Sequence, residues 1–271
     1  MGIKNLIKLL KRVCPHVFVR KSLYEYRGRC LSVDISFIVN KLEKGHRKYN
    51  ENVKHTVILI NSALDKILSY GIDLVVVFDK ERGGYGVLKQ LCPLKGLPVI
   101  QSINKADPQC AALDILGLCD GVISDDNDML VYGAKRIIKI SFKSGTCIEI
   151  ERDCILEALD LSYVEFVDLC MLLGSDYTQT LSRDVVRIYN IFKTKRNSKS
   201  DTIRVFKRQY YPYFHTKGLY MSPQVIHVKR FDIEKGYVDE EGLKRFILPY
   251  HLVPSPQRLT SFAWTSTKIG E

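Results

Sequence analysis

The chain has 271 residues, is 46% hydrophobic and carries a formal net charge of +11. That length and hydrophobic content allow a sizeable core in one large domain, or in one domain with an extension. The excess of Lys and Arg favours a polyanionic partner, although a merely soluble basic surface explains the charge about equally well. No apolar run is long enough to span a membrane, and the N-terminal residues lack a secretory signal pattern.

The eight cysteines are scattered along the chain, and no CxxC pair occurs. Their spacing therefore indicates neither a zinc site nor a disulfide framework. Reduced thiols are typical of an intracellular protein.

Helical and strand-like patterns alternate over the first 140 residues. Residues 3–13 have a helical apolar stripe, a strand runs to Asp34, and residues 53–70 form a second helical stretch before a strand that leads into Asp79. The alternation continues through Asp128 and into a strand over residues 137–140, and residues 164–173 have a helical pattern that leads into Asp176. This order predicts an α/β sheet with right-handed crossovers.

Five apolar segments each end near aspartate, and we interpret such β-branched runs as buried parallel strands. Open parallel sheets bind ligands beyond the carboxyl ends of their strands, so the acidic side chains are expected to converge in one crevice. The residues are Asp34, Asp79, Asp107, Asp126, Asp128 and Asp176. So many carboxylates need cations to offset their repulsion, and ligand sets made only of oxygen favour Mg²⁺ or Mn²⁺.

Several motifs, in their order along the chain, resemble the flap endonuclease family of structure-specific 5′ nucleases. The matching segments are Met1-Gly2-Ile3, Val33-Asp34, Val77-Phe78-Asp79, Cys110-Ala111-Ala112-Leu113, Asp126-Asn127-Asp128-Met129-Leu130 and Phe166-Val167-Asp168-Leu169-Cys170-Met171-Leu172-Leu173-Gly174-Ser175-Asp176-Tyr177. A lone DxD pair is weak evidence for a family, whereas the ordered set of segments that includes LLGSDY is strong evidence. The resemblance covers about residues 1–180.

This resemblance implies a PIN-like α/β fold, with a mostly parallel sheet flanked by helices and a C-terminal helical DNA-binding part. The six aspartates then hold two Mg²⁺ ions, for which Mn²⁺ can substitute, with residues 34, 79 and 107 on one side and 126, 128 and 176 on the other. The implied reaction is hydrolysis of DNA at a 5′ single-strand/duplex junction, nick or end, in replication, repair or recombination. The implied domains are a nuclease core over 1–180 with a shortened arch at 80–104, a basic helical part over 181–253, and a loose tail over 254–271.

The chain departs from the family pattern at three places. Lys105 and Asp107 stand where the family usually has two glutamates. Lys105 is a candidate contact for the scissile phosphate, or alternatively a charge that weakens one metal site. Only 27 residues separate Asp79 from Asp107, where the family inserts a long helical arch. The glycine-rich turn expected after Asp176 is missing, which puts the family's monovalent-ion site in doubt.

Contacts with nucleic acid are expected from the start of the chain, from the segment after Asp79 and from two basic runs. The residues are Gly2, Arg27, Arg29, Lys80, Arg82, Lys89, Arg183, Arg187, Lys193 and Lys195. Such runs often only face water, and the second run is also compatible with a targeting patch. The family's register favours duplex contact for it.

Three alternatives remain open from the residues alone. Asp107 before Pro108 is also the pattern of a helix N-cap followed by proline. The chain is compatible with a nonenzymatic DNA-binding scaffold on a nuclease fold, or with a ribonuclease of the same superfamily.

Pro256 and Ala263 break the tail's likeness to a sliding-clamp peptide, so we do not expect clamp binding. The compact form resembles reduced, including viral, family members, and an intracellular location in the nucleus or at a cytoplasmic viral replication site is expected.

Overall fold

The computed structural model describes residues 2–43, 53–80, 85–180, 182–195 and 211–251. Within these ranges seven strands form one sheet, in the order β1-β7-β6-β5-β2-β3-β4. The strands are β1 (Val19–Ser22), β2 (Cys30–Asp34), β3 (Asp73–Phe78), β4 (Val99–Gln101), β5 (Val122–Ile123), β6 (Arg136–Ser141) and β7 (Thr146–Glu151). Strands β6, β5, β2, β3 and β4 run parallel, whereas β7 pairs antiparallel with β6 on one side and with β1 on the other.

Helices cover both faces of the sheet. They are α1 (Leu6–Val13), α2 (Ile35–Glu43), α3 (Val53–Leu68), α4 (Gly86–Leu94), α5 (Ala106–Ile115), α6 (Asp128–Val131), α7 (Arg152–Leu159), α8 (Tyr163–Leu173), α9 (Val185–Lys195), α10 (Tyr211–Met221) and α11 (Glu240–His251). Short 3₁₀ turns occur at Pro15–Val17, Leu23–Tyr26 and Arg230–Ile233. None of the described helices is long and apolar enough to cross a membrane.

Strand β3 shows how the two layers arise. Val75 and Val77 belong to the core beneath α1, α5 and α8, whereas Val76 and Phe78 belong to the core beneath α2, α3 and α4. Side chains alternate across a strand, so a strand that is apolar at every position must be buried on both faces. The predicted α/β sheet with helices on either side is therefore confirmed.

The C-terminal helices pack on the core. Helix α9 contacts α1 and α8, α10 contacts α8, and α11 contacts α3 and α4. Residues 218–224 after and within α10 reach the carboxyl edge of the sheet. The chain after residue 180 thus contributes directly to the surface where the parallel strands end.

Two of the five segments interpreted as strands are not strands in the structure. The segment before Asp176 is helix α8, which confirms the helical pattern over residues 164–173 and not the strand interpretation. Asp107 lies in the first turn of α5 rather than after a strand. Helix α8 is apolar almost all round because it is buried, so its sequence is compatible with either element. The Asp107 N-cap alternative is also wrong, because the N-cap position of α5 is Lys105.

The predicted arch segment is mostly core. Between residues 80 and 104 lie α4 and β4, with Leu88, Leu91 and Cys92 fully buried. Only the stretch between Asp79 and Tyr85 connects β3 to α4, and residues 81–84 are outside the described ranges. The space for an inserted arch is therefore much shorter than the interval 80–104.

Candidate functional site

All six aspartates of the predicted set line one cleft of about 770 Å³ at the carboxyl edge of the parallel strands. Asp34 ends β2, Asp79 directly follows β3, and Asp126 follows β5. Helices supply the other three positions: Asp107 in the first turn of α5, Asp128 at the start of α6, and Asp176 after α8. The fold therefore brings together residues spread over 142 positions of sequence, from 34 to 176.

Local hydrogen bonds orient the carboxylates on the β2–β3 side. The Ser36 N–H donates to Asp34 Oδ1 at 2.8 Å, and the Ser36 hydroxyl donates to the other oxygen. The Ala106 N–H donates to Asp79 Oδ1 at 2.6 Å. Asp79 thus accepts the first N–H of α5, whose N-terminus favours negative charge. This contact holds Asp79 beside Asp107 in the first turn of the same helix.

The other three carboxylates surround the backbone of Gly2. The Gly2 N–H donates to Asp176 Oδ1 at 3.3 Å. A Cβ atom at residue 2 would lie 2.1 Å from Asp126 Oδ1 and 3.0 Å from Asp128 Oδ1, and the φ angle of Gly2 is +94°. Only glycine fits this position without displacing a carboxylate.

The carboxylates raise one another's proton affinity. Burial, followed by the charge of Asp126, raises the pKa of Asp128 to about 7. Burial and the neighbouring charges of Asp34, Asp126, Asp128 and Asp79 raise the pKa of Asp107 well above its usual value. A positive charge inside the cleft would relieve this repulsion.

The donor set fits a hard divalent cation. Asp128 Oδ1 is buried and has no hydrogen-bond partner among the described residues, and the space that a side chain at residue 2 would fill lies between this oxygen and Asp126 Oδ1. Within the described ranges, however, no three Asp, Glu, His or Cys side chains form a closed metal-binding cluster. The fit therefore rests on available carboxylate oxygens rather than on a preformed cage.

Lys105 reaches the same cleft. Its Nζ lies 5.3 Å from the centroid of the Tyr177 ring. Burial alone would lower the pKa of this ammonium, but Tyr177, Asp107 and Asp176 outweigh it and raise the pKa. Lys105 therefore places a fixed positive charge among the carboxylates.

The candidate nucleic-acid residues occupy different parts of the surface. Lys80 is exposed, and its backbone N–H donates to the carbonyl of Asn104, a residue of the cleft lining, at 2.9 Å. Lys89 lies outside the cleft lining, with its Nζ bonded to Gln101 and 5.6 Å from the Phe78 ring centroid. Arg82 lies outside the described residues. Neither lysine lines the cleft, but Lys80 directly follows Asp79 and its backbone bonds to Asn104, and both of these residues line it.

Arg27 and Arg29 lie near the amino-terminal end of β2, whereas the aspartates lie at the carboxyl ends of the parallel strands. They precede β2, whose five residues separate Arg29 from Asp34 by roughly 16 Å. Arg29 is ion-paired with Asp120 at 3.2 Å. The prediction relied on their position next to β2, but they flank the start of this strand, whereas the cleft lies at its end. Contact of these two arginines with nucleic acid stays a prediction.

The other candidates lie before or on α9, where the second basic run begins at Lys193. That run continues through Arg196, Lys199, Arg204, Lys207 and Arg208, which lie outside the described residues. Arg183 and Arg187 are exposed near its first turn, whereas Lys193 lies 3.9 Å from Asp160 and 5.6 Å from the Tyr189 ring centroid. The side chain of Lys195 is outside the described part of the chain. Contact of this run with nucleic acid stays a prediction.

Sequence reasoning missed two contributions to the cleft. The Tyr220 hydroxyl donates to Asp128 Oδ2 at 2.8 Å, and Gly218, Leu219, Ser222, Pro223 and Gln224 form one wall. Lys41 lines the opposite part of the cleft and is ion-paired with Asp125 at 2.7 Å. The wall comes from a region without a recognisable motif, so only its three-dimensional position reveals it.

Comparison with known proteins agrees with this geometry. Residues 1–89 match the XPG N-terminal domain, and residues 96–176 match the XPG I-region. The chain is 26% identical to flap endonuclease 1 of Theileria annulata, over 92% of this chain and 60% of that protein. It is 28% identical to flap endonuclease 1-B of Oryza sativa subsp. indica, over 91% of this chain and 75% of that protein. The chain thus spans about three fifths of the length of the Theileria relative.

Solved structures share the fold. The catalytic core of Rad2 in complex with DNA substrate superposes with a TM-score of 0.75 at 21% identity, over 90% of this chain and 95% of that one. Human GEN1 in complex with Holliday junction DNA superposes with a TM-score of 0.77 at 18% identity, over 93% of this chain and 74% of that one. With both XPG regions matched in order and the 5′ nuclease fold shared, this chain belongs to the flap endonuclease family.

Proposed function

We propose that this protein is a divalent-metal-dependent, structure-specific 5′ nuclease that hydrolyses DNA phosphodiesters at 5′ flaps, nicks or ends. The observation that carries the proposal is the convergence of six aspartates in one cleft, three of them around the backbone of Gly2. The relatives matched over most of the chain are flap endonucleases, and the Rad2 and GEN1 neighbours were solved with DNA.

Two ions would be held by different parts of the cleft. Asp34, Asp79 and Asp107 would contribute to one site, and Asp126, Asp128 and Asp176 to the other. A GEN1 neighbour was solved with Mg²⁺ and Mn²⁺ ions. Bound there, Mg²⁺ or Mn²⁺ would activate water and stabilise the leaving oxygen of an in-line displacement.

The protein's own residues would position the substrate. Lys105 offers a cation to a phosphate held over the cleft, Lys41 also lines the cleft, and exposed Lys80 directly follows Asp79. The net charge of +11 favours approach of a polyanion to this locally acidic site. The carboxylates would thus bind the metal ions, and the lysines would bind the phosphodiester backbone.

The short connection from Asp79 to Tyr85 bears on substrate choice. A long helical arch has no room there, so discrimination in favour of threaded flaps should be relaxed. Cutting at nicks, ends or junctions would then compete with flap cutting. Roles in replication, repair or recombination, and a location in the nucleus or at a cytoplasmic viral replication site, stay predictions.

The test is cleavage of labelled 5′-flap, nicked, blunt-duplex and RNA substrates with Mg²⁺, Mn²⁺ or EDTA. Wild type is compared with Asp128→Ala and with Asp153→Ala, which removes an exposed carboxylate of α7 outside the cleft lining. Metal-dependent DNA cutting that only Asp128→Ala abolishes supports the proposal. Salt-sensitive binding without cutting would favour a DNA-binding scaffold, and preferred cutting of RNA would favour a ribonuclease.

A further inference from the structure

Tyr220 links the C-terminal part of the chain to the acidic cleft. It lies in α10, its side chain is fully buried, and its hydroxyl donates to Asp128 Oδ2 at 2.8 Å across 92 positions of sequence. The Tyr132 ring packs against it with a centroid separation of 4.8 Å. The ring is therefore fixed by packing, and the hydroxyl is directed at one carboxylate oxygen.

The two oxygens of Asp128 have different surroundings. Oδ2 accepts the Tyr220 hydrogen bond, whereas Oδ1 is buried without a hydrogen-bond partner among the described residues. Oδ1 also faces the space in front of Gly2 that Asp126 Oδ1 borders. The hydrogen bond from Tyr220 thus fixes the rotation of the carboxylate and leaves Oδ1 directed at that space.

Helix α10 has contacts that do not depend on the tyrosine hydroxyl. Lys217 Nζ lies 2.5 Å from Asp168 Oδ1 on α8, and the side chain of Thr216 is buried. Loss of the hydroxyl alone should therefore leave α10 in place. Its effect should appear at Asp128 rather than in the packing of the helix.

We propose that Tyr220 is a positioning residue, which holds Asp128 in the orientation needed to bind a divalent cation. The inference rests on the proposed metal-dependent function of the cleft. It assigns to the C-terminal helical part a direct role in the metal site, in addition to any contact with DNA. Hydrogen bonds to ligating carboxylates commonly tune metal affinity in this way.

The test compares full-length wild type with Tyr220→Phe. The matched control is Tyr189→Phe, which removes another buried hydroxyl whose hydrogen bond goes to the Leu159 carbonyl, at 3.1 Å. Mn²⁺ binding is followed by electron paramagnetic resonance in the absence of DNA, and the Mg²⁺ dependence of flap cutting is measured on the same samples. Thermal unfolding checks that each variant is folded.

We expect Tyr220→Phe to weaken Mn²⁺ binding and to raise the half-saturating Mg²⁺ concentration by about tenfold. The maximal rate at saturating Mg²⁺ should recover to within about threefold of wild type, because the ligand itself is still present. Tyr189→Phe should leave Mn²⁺ binding and the half-saturating Mg²⁺ concentration within about twofold of the wild-type values.

An unchanged metal dependence in Tyr220→Phe, while Asp128→Ala loses Mn²⁺ binding, would overturn the positioning role and leave the nuclease intact. A loss of about tenfold in maximal rate that saturating Mg²⁺ does not restore would also overturn the positioning role. A wild-type protein that neither binds Mn²⁺ nor cuts would instead refute the proposed function, and this inference with it.

Discussion

The backbone N–H of Gly2 donates a 3.3 Å hydrogen bond to Asp176 Oδ1, although 174 positions separate these residues. The same glycine abuts Asp126 and Asp128, where a Cβ atom would meet their Oδ1 atoms at 2.1 and 3.0 Å. Residue 2 therefore packs directly against three carboxylates of the acidic site. Its lack of a side chain is required by the carboxylates as well as by its positive φ.

Substitution Gly2→Ala should reduce metal-dependent cutting by at least about tenfold. The added methyl group would displace the Asp126 carboxylate or the backbone that binds Asp176, and both belong to the same group of oxygens. Initial rates on a 5′-flap substrate at several Mg²⁺ concentrations measure the effect.

Gly117→Ala is the matched control for that substitution. Gly117 also has a positive φ, of +68°, but a Cβ atom there would meet nothing within 4 Å. Both alanines incur backbone strain of roughly 1–2 kcal/mol, whereas only the alanine at residue 2 disturbs the carboxylates. Equal losses of activity in the two variants would show that strain alone explains the effect.

The sequence predicted the cleft better than it predicted the elements that build it. Asp34, Asp79 and Asp126 follow buried strands whose composition was recognisable. Asp107 and Asp176 reach the same place from helices, because a helix packed on the sheet can direct its end toward the carboxyl edge. The helical pattern over residues 164–173 indicated the element that leads into Asp176, whereas only motif order indicated that Asp107 joins the cleft.

Other parts of the site were beyond sequence reasoning. The hydrogen bond from Tyr220 depends on how α10 docks against α8, and no local pattern encodes that docking. Strands β1 and β7 were not predicted either. Strand β1 is a four-residue edge strand that contains Arg20 and Lys21. Strand β7 pairs with both β1 and β6 but contains Glu149 and Glu151, so neither strand forms the continuous apolar run that marked the other strands.

Lys105→Gln should weaken DNA binding and reduce the slope of log affinity against log salt concentration by about one. The substitution removes the charge and keeps a long polar side chain, so loss of a phosphate contact is the main effect. Half-saturation by Mg²⁺ should stay within about twofold of wild type. Fluorescence anisotropy over a salt series, together with Mg²⁺ titrations of cutting, measures both.

Lys105→Arg is the control, because it keeps the charge and should keep the salt slope. If the Lys105→Gln enzyme cuts faster than wild type and needs less Mg²⁺, the proposed phosphate contact is contradicted. The lysine would then act against cation binding by Asp107 and Asp176 rather than for the substrate.

Lys41→Ala should also reduce the salt slope by about one, whereas Arg29→Ala should leave it unchanged. Each side chain is ion-paired with an aspartate, Lys41 with Asp125 and Arg29 with Asp120, so the two substitutions break comparable pairs. Only Lys41 lines the cleft. A change in slope for Arg29→Ala would show that DNA also contacts the opposite edge of the sheet.

The stability of the antiparallel edge should depend on pH through Glu149. Its buried carboxylate contacts Lys21 on β1, accepts from the Tyr26 hydroxyl at 2.6 Å and lies 3.0 Å from Arg136 Nε on β6. Burial alone would raise the pKa of Glu149, but Lys21, Tyr26 and Arg136 outweigh it and lower the pKa below its ordinary value of 4.5. The ionised carboxylate therefore stabilises the folded state above pH 4.5, and this contribution disappears as the pH falls through the lower, folded-state pKa.

Glu149→Gln should accordingly lower the free energy of unfolding by about 1–3 kcal/mol at neutral pH. The difference from wild type should be constant between about pH 6 and 8 and should shrink below about pH 4.5, because protonation then removes the same charge from wild type. Urea unfolding at fixed ionic strength measures it. Glu241→Gln, which breaks an exposed pair with Arg245, should show no measurable difference at any pH. A Glu149 difference that persists unchanged at pH 3 would mean that side-chain packing, rather than the ionised carboxylate, joins β1, β7 and β6.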